Sequence, residues 1–480
     1  MRKKKSADEK AKFTRIERST LEEVSNFLFA IGNEFTSVKN AQGAFDAFKY
    51  AVDLNPKNQP CVYNLGVLYN LMGNQQGAYR MLSEARRMLP SHLMASVSLA
   101  EVCRKLNKID EARELLDAVL KVDPENFVAM SSTALLEYDL ANLSAASHWN
   151  NEALKRCPND PHILLNKTLI NLLYGRWAQW WVSYELYLSY RKDNDRMAGL
   201  DIRGSWHGQA CEGKNLVVVS DQGNGDCIQF GRYLAEAKAL GKFETVTYIV
   251  QPDLVELMSR VKGIDRCVGF GDSCDIKLDA YSSLLGIMRV LQISPENCKR
   301  PPHIVTDPDL DLVWKTRIDA LWDGKSKKVG IVWGGDQKHG NDANRSLPLA
   351  QFLKLTHVQG VQVFSFQLGN GLKQLFVVPE EEQKKIVELG TDFRNFDDTA
   401  SAMRQMDLLI TCDTAPGHLA GSMGIPTWWL IPNPGEWRHG IDTLDSLWYD
   451  KSHLFRQKTP KDWNPVIEKV VKELSDWAQR

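Results

Sequence analysis

Pro56, Pro90, Pro124 and Pro158 stand 34 residues apart, and three further columns keep the same step. Ala44, Ala78, Ala112 and Ala146 form one, Ala51, Ala85, Val119 and Ala153 a second, and Gly32, Gly66, Ala100 and Ala134 a third. A chain that repeats itself at this period does not close around one core, because each repeat buries its apolar face only against the next. The residue types say what the unit does. Small side chains at two positions let one helix of a pair approach the other. Phe35, Phe48, Tyr69 and Leu82 are large and fill the space between neighbours, and Leu28 and Val62 open the apolar pattern of the first two repeats. Proline ends the second helix because it lacks the N–H that another turn requires.

Small, large and proline positions in this order over 34 residues are the signature of tetratricopeptide repeats. Four repeats are predicted, with a terminal helix pair from about 162 to 190. Gly175 marks the turn of that pair as Gly73 marks the turn of the second repeat, and Trp177, Trp180, Trp181 and Tyr184 make it bulkier than the others. This suits a unit packed against a following domain. The repeat region is expected over 20–192, after a flexible lead-in, 1–19. Such an array either positions another domain or offers its concave surface to an acceptor or a protein partner. The second role is expected here.

Charge and cysteine usage exclude several classes. The chain has 59 basic and 60 acidic side chains, a formal net charge of -1, so overall charge gives no pull toward nucleic acid or anionic lipid. Met1 to Lys5 is basic but no apolar run follows, which argues against a secretory signal. No stretch approaches the roughly 20 apolar residues of a membrane helix. Nine cysteines without a CxxC pair fit neither a disulfide scaffold nor a zinc site, and a reducing cytoplasm is the expected location.

Tryptophan first appears at Trp149, although the chain holds 14, and the glycine-containing run GSWHGQACEGK (204–214) has no periodicity. A linker is placed at 193–213. Beyond it short β-branched runs alternate with helical stretches. LVVVS (216–220), TVTYIV (245–250) and Arg266 to Phe270 read as strands of one βαβαβ unit. VGIVW (329–333), VQVFSF (361–366), LLITC (408–412) and PTWWLI (426–431) read as strands of a second, closed by an amphipathic helix from Pro465 to Trp477. The fold class is therefore an α-solenoid followed by two Rossmann-like lobes, 214–308 and 309–480, with a cleft between the carboxyl ends of two parallel sheets.

Four strand-end loops carry candidate chemistry. Gly223 and Gly225 precede Asp226 in a turn that brings backbone close to a ligand, or that is a plain βα turn with Asp226 as the helix cap. It lacks the third glycine and the distal acid of a dinucleotide fingerprint, so NAD is a poor fit. Asp413, Thr414 and Ala415, with His418 one turn on, have the makings of a phosphate cradle at a helix start, against an N-cap with a structural histidine. The loop GGDQKHGNDANR (334–345) holds Lys338, His339 and Arg345 and suits an anion, or is a solvated surface loop. Gln367 to Gly369 meets a nucleobase or ribose through its backbone, or is a simple turn. Together these loops have the layout of a two-substrate cleft, with a diphosphate donor on one lobe and an acceptor with its base on the other.

The runs DQGNGDCIQFGRY (221–233), VGIVWGGDQKHGNDANRSLPL (329–349) and DLLITCDTAPGHLAGSMGIPTWWL (407–430) resemble bacterial tetratricopeptide proteins with a glycosyltransferase domain of the kind seen in ADP-heptose:lipopolysaccharide heptosyltransferases. More loosely, the order of repeats before a GT-B domain resembles the O-GlcNAc transferases. The resemblance implies a GT-B fold and a metal-independent, inverting transfer from a nucleotide-diphosphate sugar, without a cofactor. It implies that Asp226 is the general base and that Asp413, Thr414, Ala415 and His418 hold the donor. Lys338 then supplies the basic residue, with Arg345 as its rival. Gln367 belongs to the same donor side. Relatives often carry lysine where this chain has Leu368. Glycan, lipid-linked, protein and nucleic-acid-base acceptors all stay open, as does a non-catalytic adaptor with a degenerate α/β part.

Overall fold

The computed structural model describes residues 2–190, 205–220, 223–272, 275–337, 339 and 341–480, with side chains from residue 20 onward except those of 184–190. It divides into two compact units, Met1–Pro158 and Asn159–Arg480. The first is all helix: α1 (Arg2–Ser37), α2 (Ala41–Leu54), α3 (Gln59–Leu71), α4 (Gln75–Met88), α5 (Leu93–Lys105), α6 (Ile109–Val122), α7 (Phe127–Asp139) and α8 (Leu143–Arg156). Each odd helix pairs with the next even one, and α2, α4 and α6 each pack on the odd helix that follows. The lead-in does not stand apart, because α1 runs unbroken from Arg2.

The sequence columns explain the packing. The alanines at 44, 78, 112 and 146 are wholly buried. A Cβ on Gly32 would fall 2.4 Å from Phe48 Cε1, and one on Gly66 2.8 Å from Leu82 Cγ, so these positions admit no side chain while the helices stay this close. Asn55, Leu89, Asp123 and Cys157 precede the four prolines and adopt φ between -139° and -130°. Each second helix thus stops one residue short of its proline, whose ring excludes the helical conformation of the residue before it.

The turn between paired helices has a period of its own. Lys39, Gly73, Asn107, Ala141 and Gly175 all have positive φ, from 58° to 79°. After each, the next N–H reaches back at 2.8 Å to a carbonyl of the preceding helix: Asn40 to Phe35, Asn74 to Tyr69, Lys108 to Cys103, Asn142 to Glu137 and Arg176 to Asn171. This is the bond that closes a helix through a left-handed residue. Asn40, Asn58, Asn74 and Asn126 then cap the following helices with their side-chain oxygens.

The second unit begins with α9 (Pro161–Leu173) and α10 (Trp177–Tyr190). Trp180 takes the place held by alanine in the four repeats. It lies over Trp437 at 6.1 Å, while Trp177 stacks on Trp448 at 5.4 Å and meets Trp437 edge-on at 5.3 Å. The pair thus packs on the α/β region.

The first sheet contains β1 (Asn215–Val219), β2 (Thr245–Val250), β3 (Arg266–Gly269) and β4 (Ala280–Ser283), with α11 (Asn224–Phe230), α12 (Leu234–Gly241), α13 (Val255–Met258) and α14 (Leu284–Val290) between and after them. After α15 (Pro308–Leu321) come β5 (Lys327–Val332), α16 (Asp342–Arg345), α17 (Leu349–Phe352), β6 (Val361–Ser365), α18 (Gly369–Leu372), α19 (Glu380–Gln383), β7 (Ile386–Glu388), α20 (Phe396–Met403), β8 (Leu408–Cys412), α21 (Ala415–Met423), β9 (Thr427–Ile431), β10 (Ser452–Arg456) and α22 (Asn464–Ala478). Both sheets are parallel, in the orders β3-β2-β1-β4 and β10-β9-β8-β5-β6-β7. The strand order reverses between β1 and β4 and between β5 and β8, and there the connecting loops part and leave a crevice. Part of the linker is ordered against the first sheet, where the Trp206 N–H donates to the Tyr281 carbonyl at 2.7 Å.

Ala141 is held at φ 59° without the freedom of glycine. Ala141→Gly is expected to stabilise the chain by about 0.5–1 kcal/mol, since relief of the left-handed penalty exceeds the added unfolded-state entropy. Gly73→Ala should have the opposite effect. Urea unfolding of the full chain measures both.

Candidate functional site

The loops after β1 and β8 meet. Gly223 caps α11, and Asp226, in its first turn, accepts the Gly223 N–H on Oδ2 at 3.0 Å. The capping role is therefore real. Oδ1 of the same carboxylate accepts a hydrogen bond from the guanidinium of Arg438. Gly225 lies against the second lobe: a Cβ there would stand 2.9 Å from His418 Cδ2 and 3.4 Å from Ala415 Cα. The close backbone approach expected for a ligand at Gly225 is thus made by α21.

On the other side Thr414 begins α21 without a side-chain cap, Ala415 is its first residue and Asp413 is buried beneath it. Asp413 Oδ1 lies 3.2 Å from His439 Nε2 and 4.0 Å from His418 Nε2. Burial alone would push the Asp413 carboxyl up, but His439, His418 and Arg345 outweigh it and hold the acid below the usual range. His418 shares a hydrogen bond with Tyr449 through Nδ1 at 3.0 Å and sits edge-on to Trp429. Burial and the Arg438 charge depress its pKa well below the ordinary value, so it is a neutral imidazole at neutral pH.

The remaining candidates divide. Lys338 lies outside the described residues. Arg345 donates to the Asp413 carbonyl at 2.9 Å and to Asp342 at 3.3 Å, so it braces the β8–α21 turn. Gln367 is buried and its amide is fully used. It accepts the N–H groups of Trp333 and Gly334 at 3.0 and 2.8 Å and donates to the carbonyls of Gly334 and Leu368, both at 2.9 Å. Its own carbonyl packs on Gly390, where a Cβ would fall 2.2 Å away. Gln367 thus pins the exits of β5 and β6 together, while the Leu368 side chain is exposed.

Sequence reasoning missed the stretch between β9 and β10. There Glu436, Arg438 and His439 enter the site from the turn Trp437–His439. Arg438 donates to Asp226, to Glu436 and, at 2.8 Å, to Gln229 Oε1, and its guanidinium lies 4.4 Å from the centre of the Trp437 ring. The one signal in the sequence was the run EWRH, acidic, aromatic and basic in an otherwise irregular loop. Burial pushes the Glu436 carboxyl up to about 8; Arg438 opposes this, and the Asp413 charge adds to it. Asp413, Glu436 and His439 each place a ligand atom within 4.8 Å of the others, a donor set that suits a divalent cation. Two features favour a charge network over a metal site. Arg438 engages Glu436, and His439 Nδ1 lacks the partner that ordinarily orients a ligating imidazole.

The tetratricopeptide-repeat family model matches residues 72–136, so the N-terminal helices are tetratricopeptide repeats. The chain is similar to Protein FlbA of Caulobacter vibrioides, with 25% identity over 509 residues that cover 94% of this chain and 84% of that protein. Among solved structures it is similar to a thermophilic tetratricopeptide protein of Thermus thermophilus (18% identity, 36% of this chain and 94% of that one, TM-score 0.33). It is also similar to Pseudomonas aeruginosa pilF (14%, 37% and 81%, 0.31) and to MamA of Desulfovibrio magneticus RS-1 (16%, 35% and 94%, 0.29). Among the described residues no helix is long and apolar enough to cross a membrane.

The raised Glu436 sets a pH dependence. Between its ordinary value of 4.5 and about 8 the folded chain keeps a proton that the unfolded chain has released. The folded state therefore binds more protons, and this contribution to stability falls as pH rises through that window. Glu436→Gln, which mimics the protonated acid, should flatten that fall and gain about 1–2 kcal/mol on wild type at the alkaline end relative to the acidic end. Melting temperatures across the window test this.

Proposed function

We propose that the second unit is a glycosyltransferase of GT-B type that moves a sugar from a nucleotide-diphosphate donor to an acceptor hydroxyl, with inversion and without a metal. The observation that carries the reading is the contact of Gly225, next to Asp226 on α11, with Ala415 and His418 in the first turn of α21, at the carboxyl ends of two parallel sheets. The donor's diphosphate lies at the start of α21, where the amides of Thr414 and Ala415 face the leaving group. Asp226 takes the acceptor's proton as its oxygen bonds to the anomeric carbon, and the electrons of the breaking sugar–phosphate bond leave with the diphosphate. Lys338 or Arg345 adds positive charge on that side, and Gln367 keeps the neighbouring loops in place. Neutral His418 offers a hydrogen bond to the donor rather than a charge. The repeats bind the acceptor or a protein partner. The adaptor alternative draws on one observation, that both Asp226 oxygens are engaged.

Two variants test the reading. Asp226→Asn should lower sugar transfer, or slow hydrolysis of nucleotide sugars by the purified chain, by roughly 10²–10⁴-fold. Its affinity for the donor should not weaken. Near-wild-type turnover would return Asp226 to a capping role. His418→Ala should weaken nucleotide-sugar binding in calorimetry while the chain stays folded, and unchanged affinity would leave His418 a core histidine. A chain that hydrolyses and binds no nucleotide sugar would favour the adaptor.

A further inference from the structure

Both oxygens of Asp226 already accept a hydrogen bond, and one of the donors is a cation. Oδ2 is held within its own helical turn by the Gly223 N–H, and Oδ1 by Arg438 from the other lobe. The first contact is a local cap. The second is a salt bridge between elements far apart in sequence, and Arg438 comes from an irregular stretch bounded by Gly440 at φ 65°.

Nearby arginines differ in what holds them. Arg232 is fixed by neutral groups, the carbonyls of Gln229 and Trp448 and the Ser422 hydroxyl. Arg345 is fixed on the Asp413 carbonyl and Asp342. Arg438 instead bridges the Asp226 carboxylate and the carboxyl group of Glu436. A guanidinium binds phosphate with the same fork that it uses for carboxylate, so an arriving diphosphate competes for it like for like. The target is near, because Arg438 holds Asp226, and the adjacent Gly225 lies against Ala415 and His418 in the first turn of α21. Departure strands only one anion, since Glu436 holds its own proton at neutral pH.

We propose that Arg438 is a displaceable counter-ion: it seals Asp226 in the empty site and turns onto the diphosphate of a bound nucleotide, which frees the carboxylate for the acceptor hydroxyl. The proposal rests on the donor-site reading above. It makes donor binding a condition for unmasking the base, so the acceptor is activated only beside a loaded donor.

The test is a binding cycle on the full chain, with ADP, UDP and GDP as probes in calorimetry. In wild type, part of the binding energy is spent in breaking the Asp226–Arg438 pair. Asp226→Asn should therefore tighten nucleoside-diphosphate binding, by about tenfold for a coupling of about 1.4 kcal/mol. Arg438→Gln should weaken it, and Arg438→Lys should restore part of the loss. In the Arg438→Gln background, Asp226→Asn should no longer tighten binding. If Asp226→Asn leaves affinity unchanged or lowers it, Arg438 is a fixed tie and the proposal falls while the donor site stands. If wild type binds none of the three probes, the donor-site reading falls and takes this proposal with it. Should Arg438→Gln fail to fold, the sign of the Asp226→Asn effect decides alone.

Discussion

The first turns of α11 and α21 approach so closely that residue 225 has no room for a side chain, with His418 Cδ2 2.9 Å from where a Cβ would stand. Much of the second unit follows from that contact. It sets the carboxyl end of the first sheet against the carboxyl end of the second and brings Asp226 to Arg438. It also explains why the two lobes share one continuous apolar core, from Phe230 and Leu234 on one side to Leu419, Ala420 and Trp429 on the other. A larger residue at 225 would part the helices, and the charged groups behind them would lose their partners together.

Those charged groups are arranged so that burial is tolerable. A buried carboxylate is costly unless paired, and a buried arginine equally so. Asp413 is met by two imidazoles, and Asp226 by a guanidinium whose far side lies on Trp437. Arg232 has no carboxylate among its hydrogen-bond partners and lies over the Tyr449 ring at 4.8 Å. Glu436 is the acid that the local cations do not fully answer, and it resolves this by keeping its proton. Such a network responds to any ligand that brings charge, because its members hold one another.

How much of this the sequence disclosed depended on whether the signal was local. Helix pairs, prolines and small-residue columns are periodic, so the repeats were readable at once. β1, β2, β8 and β9 are apolar runs that a doubly covered parallel strand requires. β4 (AYSS), β7, with three residues, and β10 (SHLFR) are short or polar and went unread. Left-handed turns are legible at Gly73 and Gly175 but not at Lys39, Asn107 or Ala141, where the same local helix-closing bond forms without a glycine to mark it. In the site, Asp226 and the Asp413–His418 turn stood out because strand-end chemistry is local. Glu436, Arg438 and His439 did not, because their burial is a property of the fold. The side-chain amide of Gln367 serves the loops around it, a role that is not legible in the sequence and that the hydrogen bonds show.

The helix pair before the α/β region connects to this site through one side chain. Where four repeats carry alanine, Trp180 fills the position, and with Trp177 it packs on Trp437. Trp437 in turn carries the Arg438 guanidinium on its face and lies parallel to Phe230 of α11, 6.3 Å away. The ring is therefore held by α10 and by the first lobe, while its neighbour in sequence holds Asp226. Stacked aromatic rings resist sliding more than aliphatic contacts do, since their preferred geometries are narrow. The tryptophan at the alanine position thus brings a repeat-like helix against the ring that carries Arg438, a cation bonded to groups of both lobes. This gives a physical route by which an event on α10 would bear on Asp226, through Trp437 and Arg438.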